Sequence, residues 1–180
     1  MYKYCATEES ARRQRQLESC LQELMITENY AQITISHICD LAGISRKSFY
    51  RYFSSKEGCL YALVDHAIFD GASYYLPGSS NISSSRLIYE RFFTYWKEKA
   101  ALLDALEKNA MGLLLAERML AYSVSEEHEF RYLFRNSEDE STERIIFYIS
   151  GIIGLVLTWH RGGFIKSPAK MAEILSDMID

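Results

Sequence analysis

Apolar residues recur every three or four positions through most of the chain, which is the spacing of a helix with one buried face. Leu17, Leu21, Leu24 and Met25 form such a stripe within residues 8–27. The pattern predicts further helices over about residues 35–42, 46–52, 55–72, from 85 onward, 100–122 with a break near 109–112, 145–159 and 168–179. Residues 1–7 (MYKYCAT) are expected to form a short disordered arm. With two prolines and nine glycines in the chain, we expect an all-α fold of about nine helices.

The most informative stretch is residues 34–57, which predicts two short helices around a glycine turn and the start of a third. Thr34 and Ser45 can cap the first two helices, because a side-chain oxygen accepts an N–H that a helix leaves unbonded at its start. Gly43 stands where the chain must turn, since glycine tolerates positive φ. Ser54 and Glu57 have the spacing of a capping box. This layout is typical of a helix-turn-helix, whose second helix enters the DNA major groove.

The second helix of this stretch has two chemically different faces. Phe49 and Phe53 are four residues apart, so they share one side and can anchor the helix to the protein. The other side is basic and hydroxylated. The candidate DNA-binding residues are Ser45, Arg46, Lys47 and Ser48 for base edges and Thr34, Tyr50, Tyr52 and Lys56 for phosphates.

At these residues the chain resembles the TetR family of bacterial transcriptional regulators. The matching positions are Thr34, Ile38, Ala42, Gly43, Ile44, Ser45, Ser48, Phe49, Tyr50, Tyr52, Phe53, Ser55, Lys56 and Glu57. One departure is Tyr52, where many relatives carry histidine. The resemblance implies an N-terminal DNA-binding domain of three helices and a larger helical domain that binds an effector and forms a homodimer. We accordingly expect a DNA-binding domain over residues 1–54 and an effector-binding and dimerisation domain over residues 55–180.

Charge is distributed unevenly along the chain. The net charge is −4, but residues 1–60 carry +1 and residues 61–180 carry −5. The acidic excess therefore lies outside the DNA-binding stretch, and screening weakens charges more than about 10 Å away at moderate salt. Arg12, Arg13 and Arg15 on the first helix could reach the DNA backbone or form an ordinary solvated face, and the sequence leaves both interpretations open.

The last two predicted helices are candidates for a subunit interface. Residues 145–159 contain no charge, yet a membrane span needs about 20 apolar residues, so we expect a helix buried in protein and no membrane partner. Small residues let another helix approach closely, and Ser167-Pro168 begins the final helix. The candidate dimerisation residues are Ser150, Gly154, Thr158, Met171, Leu175 and Met178. Paired across a two-fold axis, these helices would form a four-helix bundle.

Aromatic residues in the middle of the chain could line a pocket for a small apolar or aromatic effector. The candidate ligand-binding residues are Phe92, Phe93, Trp96, Tyr122 and Phe147. For any single one of these residues, packing in an ordinary core is the simpler explanation. The sequence therefore does not identify a ligand.

No pattern typical of an enzyme or a metal site is present. The four histidines are far apart and the four cysteines include no Cys-x-x-Cys pair, so we expect no metal and no cofactor. The polar start of the chain does not resemble a signal peptide, and reduced cysteines fit a cytoplasmic protein. The expected function is an effector-responsive repressor that binds a palindromic operator as a homodimer. The alternative is a module of the same fold that regulates through a partner protein.

Overall fold

The computed structural model describes residues 2–3, 5–75, 85–124 and 141–179. In these ranges the secondary structure consists of nine helices, as expected. They are α1 (Glu8–Thr27), α2 (Ile35–Ala42), α3 (Arg46–Tyr52), α4 (Lys56–Tyr75), α5 (Ser85–Glu98), α6 (Ala100–Lys108), α7 (Leu113–Val124), α8 (Thr142–Arg161) and α9 (Pro168–Ile179). The break predicted near residues 109–112 is confirmed, because α6 and α7 are separate helices.

The predicted capping box at the start of α4 is wrong by one residue. Gly58 donates its N–H to the hydroxyl of Ser55 at 3.2 Å, so Ser55 caps the helix and Ser54 precedes the cap. Hydrogen bonds from its own backbone N–H and from the Ser55 hydroxyl lower the pKa of Glu57. The Pro77-Gly78 step, which the sequence predicts to end this helix, lies outside the described residues.

The chain divides into two compact units. The first comprises Met1–Ala67 and Asp104–Met111, and the second comprises Ile68–Leu103 and Gly112–Asp180. Helices α4 and α6 therefore each contribute residues to both units. The domain boundary between residues 54 and 55 stays a prediction.

The first unit is built on α1, which packs against α2, and α2 packs in turn against α3. Leu17, Leu21, Ile38 and Phe49 are fully buried at its centre. Burial of a side chain of this size stabilises the fold by about 1.5–3 kcal/mol. The helical spacing of these residues in the sequence thus corresponds to one core.

The second unit is organised around α5, which packs against α9 and α8, while α7 packs against α8. Its core contains Phe93 and Trp96, both fully buried. Gly71 allows α4 to lie close to α5, because a Cβ at this position would be 2.8 Å from Cε1 of Tyr95. A larger residue would require the buried tyrosine ring to move.

The expectation of a disordered N-terminal arm is wrong for residues 2–3. Lys3 donates its backbone N–H to the carbonyl of Tyr52 at 2.9 Å, and Tyr2 forms a β-bridge with Phe53. The Tyr2 ring also contacts the imidazole of His66, with ring centroids 5.6 Å apart. These contacts connect the start of the chain to the end of α3, and no local pattern in the sequence could have predicted them.

Helix α8 is buried on one side only. Ile149 and Ile153 lie in the core, whereas Phe147 is 75% exposed on the opposite side. By length and composition α8 could cross a membrane, since its most apolar stretch of 18 residues has a mean hydropathy of 1.3 and only 33% of that stretch is buried. Core helices of soluble proteins pass the same test, so this property alone does not indicate a membrane. One face of α8 is thus exposed within a single chain, and its burial against another chain stays a prediction.

Candidate nucleic-acid interface

Capping residues set the geometry of the helix-turn-helix. Thr34 accepts the N–H of His37 with its hydroxyl at 3.2 Å, and Ser45 accepts the N–H of Ser48 at the same distance. Between the two helices, Gly43 adopts φ 63°, and the N–H of Ile44 donates to the carbonyl of Cys39 at 3.0 Å. A left-handed residue at this point closes α2 and redirects the chain into α3. Thr34 and Ser45 are confirmed as helix caps.

Helix α3 is anchored by the two phenylalanines that its sequence predicted. Phe49 is fully buried, Phe53 is almost fully buried, and their ring centroids lie 5.1 Å apart. The opposite face exposes Arg46 and Lys47, and Tyr50 is 47% exposed. The helix therefore presents cationic and hydroxyl groups to solvent from a fixed backbone. Such a surface can meet both base edges and phosphates of DNA.

The side chains of Tyr52 and Lys56 have partners within the first unit. Tyr52 is 8% exposed, so most of its ring contributes to packing. The Lys56 ammonium donates to the carbonyls of Tyr30 and Ile33 at 2.6 and 2.7 Å and lies 4.2 Å from the centre of the Tyr30 ring. An ammonium has three N–H donors, so one remains for a phosphate. In this structure Tyr52 packs α3 into the core, and Lys56 ties the start of α4 to the segment before α2.

Two polar residues outside the helix-turn-helix connect distant segments of the first unit, and sequence reasoning missed both. Gln16 on α1 donates its amide to the carbonyl of Ala42 at 2.9 Å, next to the glycine turn. Asn109, after α6, accepts the N–H of Tyr30 at 2.6 Å and donates to the carbonyl of Met25 at 3.0 Å. Nothing in the sequence around Asn109 indicates that its side chain bonds to residues about 80 positions earlier in the chain.

Two of the four cysteines, Cys39 and Cys59, are buried. Burial raises the pKa of the Cys39 thiol and, more strongly, that of the Cys59 thiol. A raised pKa keeps the thiol protonated, and the thiolate is the nucleophilic form. Among the residues that the structure describes, no group of three His, Cys, Asp or Glu side chains could hold a metal ion.

The structure does not place the five candidate ligand-binding residues around one cavity. Phe92, Phe93 and Trp96 are buried in the core of the second unit. Tyr122 packs against Phe69 with ring centroids 4.8 Å apart. Phe147 lies on the exposed face of α8, so it cannot share a cavity of one chain with the fully buried Phe93.

The candidate dimerisation residues fall into two groups. Ser150, Gly154 and Thr158 lie on the exposed face of α8, and Met178 on α9 is 66% exposed. Met171 and Leu175 differ, because both are buried in the core of their own chain, where α9 packs against α5. In this conformation, the latter two residues cannot form the centre of an interface with another copy.

Two family models match the chain. Residues 22–63 match the model described as "Bacterial regulatory proteins, tetR family", and residues 85–180 match a "Transcriptional regulator C-terminal region". The first match contains the whole helix-turn-helix. The second covers more than half of the chain and includes α5 to α9.

A relative of known name aligns with part of the chain. The HTH-type transcriptional regulator EthR of Mycolicibacterium smegmatis is 38% identical over 78 residues, which are 40% of this chain and 36% of that protein. The chain thus matches about a third of the length of that relative.

Solved structures share the fold over nearly the whole chain. A TetR-family transcriptional regulator from Haemophilus influenzae has a TM-score of 0.62 at 14% identity, covering 95% of this chain and 96% of that one. The fatty acid degradation regulator FadR from Bacillus halodurans has a TM-score of 0.58 at 17% identity, covering 92% and 93%. At these identities the likeness concerns the fold alone. Together with the two family matches, it shows that the chain belongs to the TetR family of transcriptional regulators.

Proposed function

We propose that this protein regulates transcription by placing α3 in the major groove of an operator. The observation that carries the proposal is the division of α3 into a buried aromatic side and an exposed cationic side. Phe49 fixes the helix to the core, while Arg46 and Lys47 project from its first turn. In helix-turn-helix proteins the N-terminal residues of the second helix contact base edges. Arginine and lysine suit guanine O6 and N7.

The remaining contacts in the proposal position the protein on DNA. Ser45 and Ser48 lie beside the base-reading residues, and Tyr50 and Thr34 are exposed residues whose hydroxyl groups suit phosphates. Phosphate contacts fix orientation without reading sequence. Tyr52 and Lys56 take a secondary part, because the Tyr52 ring is buried and the Lys56 ammonium already donates to two backbone carbonyls.

We further propose that a second copy covers the exposed face of α8. Phe147 and Ile146 are large apolar side chains on this face. A Cβ added at Gly151 or Gly154 would meet nothing within 4 Å, so another helix has room to approach. Thr158 is also exposed on this face, and Met178 is exposed on α9. Two copies related by a two-fold axis would place two α3 helices on a palindromic operator.

The proposed regulatory signal is an apolar or aromatic effector bound within the second unit. The support for it is the aromatic content of α5, including Phe92, Phe93 and Trp96. Because these rings pack tightly, an effector would have to displace side chains and thereby change the position of the helices around it. A repressor that releases DNA on effector binding is the simplest form of this mechanism, and it would act in the cytoplasm.

Selection of bound duplexes from a random pool tests the DNA-binding part of the proposal. We expect a palindromic site with half-sites about 34–36 Å apart, bound by two copies as measured by mass photometry. The double variant Arg46→Ala, Lys47→Ala should lose this preference. Lys97→Ala and Lys170→Ala, which remove exposed charges of the second unit, serve as the control.

A wild-type protein that enriches no site, with or without cell extract as a source of effector, would contradict the proposal. It would favour the alternative of a module that regulates through a partner protein. Equal affinity of the Arg46→Ala, Lys47→Ala variant and the wild type for an enriched site would mean that another surface reads the DNA.

A further inference from the structure

A polar cleft separates the first part of α1 from the helix-turn-helix. It has a volume of about 410 Å³ and is lined by Arg12, Arg13, Gln16, Ala42, Gly43, Ile44, Ser45 and Ser48. Two arginines thus face the glycine turn and the two serines across an open space. The cleft lies beside the residues proposed to read base edges, although the arginines come from a different helix.

Gln16 fixes the position of the two arginines relative to this turn. Its amide donates to the carbonyl of Ala42 at 2.9 Å, which holds α1 against the end of α2. Arg12 and Arg13 precede Gln16 by four and three residues, so they lie one turn earlier on the same side of α1. Arg15 projects elsewhere, because it lines a separate small cavity with Tyr2 and His66.

The groups around the cleft suit a phosphodiester. Arginine binds phosphate oxygens through two parallel N–H donors. Arg13 is paired with Glu9 at 2.7 Å, but both side chains are about half exposed or more, so the pair is weak and exchangeable. The Ser45 hydroxyl donates to the Ser48 hydroxyl at 3.1 Å. Ser48 therefore keeps its own hydroxyl hydrogen for a further acceptor.

From this geometry we infer that the cleft binds one backbone phosphate of each operator half-site, held by Arg12 and Arg13 with the Ser48 hydroxyl. This inference rests on the proposed DNA binding and adds α1 to the contact surface. It also gives the three arginines of α1 different roles, since Arg12 and Arg13 contact DNA while Arg15 does not. Glu9 competes with the phosphate for Arg13.

The test compares single variants of the full-length protein on the selected operator, over a series of salt concentrations. Arg12→Ala and Arg13→Ala should each weaken binding about tenfold, equally for all operator sequences. Each should also reduce the slope of log affinity against log salt by about 1 for every phosphate that is no longer neutralised. Arg15→Ala removes the same charge from the same helix and should leave the slope unchanged. Glu9→Gln should tighten binding, because it releases Arg13.

Circular dichroism of each variant establishes that the helices are intact before affinity is compared. If Arg12→Ala and Arg15→Ala weaken binding equally, the effect is one of net charge and the inference is overturned. If Arg12→Ala changes the preferred sequence, Arg12 reads a base and the assignment to a phosphate is wrong. A wild-type protein without any operator would instead refute the proposed function, which keeps the two failures distinct.

Discussion

Replacement of Asn109 should destabilise the first unit, although this residue is about 80 positions away from its partners. Its side chain accepts the N–H of Tyr30 at 2.6 Å and donates to the carbonyls of Met25 and Ala105 at 3.0 and 2.8 Å. The amide thus connects the end of α6 to the end of α1 and to the turn before α2. Asn109→Ala removes all three bonds and leaves the N–H of the buried residue Tyr30 without this acceptor.

The magnitude follows from the number of bonds and their burial. A hydrogen bond contributes about 0.5–1.5 kcal/mol net, so three contribute about 1.5–4.5 kcal/mol. Asn109 is partly buried, and water can replace some of the missing partners. We therefore expect Asn109→Ala to lower the free energy of unfolding by about 2 kcal/mol. Asn109→Asp keeps the acceptor for Tyr30 but directs an anionic oxygen at two carbonyls, and it should cost at least as much.

Urea unfolding followed by far-UV circular dichroism measures the loss of stability, and amide hydrogen exchange locates it. In Asn109→Ala, the amide of Tyr30 should lose protection, whereas in Asn109→Asp it should stay protected. Lys108→Ala is the matched control, because Lys108 donates to the carbonyl of Ile26 from an exposed position. A loss below about 0.5 kcal/mol for Asn109→Ala, or unchanged exchange at Tyr30, would refute this account of the connection.

Three further outcomes are expected. Tyr75→Phe should raise stability by about 1 kcal/mol, measured by tryptophan fluorescence in urea, because Tyr75 is 3% exposed and its buried hydroxyl has no hydrogen-bond partner among the described residues. Burial raises the pKa of the Cys59 thiol well above 9.0 in the folded protein, so the stability that this thiol contributes is complete below about pH 8.5 and is lost as the thiol of the unfolded chain ionises at higher pH. In reducing buffer, the stability of Cys59→Ala should therefore fall less steeply with pH above 9 than that of the wild type, by about 1.4 kcal/mol per pH unit. Ser45→Ala should cost about 1 kcal/mol and Ser45→Gly only a few tenths, by thermal unfolding, because the cap of α3 is lost.

The helix-turn-helix was predictable from sequence because its determinants are local. Thr34 and Ser45 act on N–H groups three residues away, and Gly43 sets one turn. Phe49 and Phe53 lie on one side of a helix through their spacing alone. Each of these signals lies within a window of a few residues, so the bounds of α2 and α3 follow directly from it.

Contacts between distant segments were not predictable from these signals. Nothing near Gln16 or Asn109 indicates a backbone carbonyl or N–H of another helix as its partner. The pairing of Tyr2 with Phe53 is a backbone contact, so the side chains carry no pattern for it. Periodicity marks an apolar face but does not say what covers it. Met171, predicted for dimerisation, is therefore found buried in its own chain, and Phe147, predicted to line a ligand pocket, is found exposed.

The near-neutral charge of the N-terminal part explains why the proposed dimer matters for recognition. Residues 1–60 carry only +1, so nonspecific attraction to DNA is weak and the base contacts must supply most of the preference. Each good bidentate contact discriminates by about 1–3 kcal/mol, and Arg46 and Lys47 of one copy would supply about 2–6 kcal/mol together. Specific sites typically exceed nonspecific DNA by about 4–10 kcal/mol, a range that two copies span with about 4–12 kcal/mol and that one copy enters only in the upper half of its own range. The apolar face of α8 is thus as necessary to the proposed operator recognition as the residues that read the bases, because it is the surface through which a second α3 would be added.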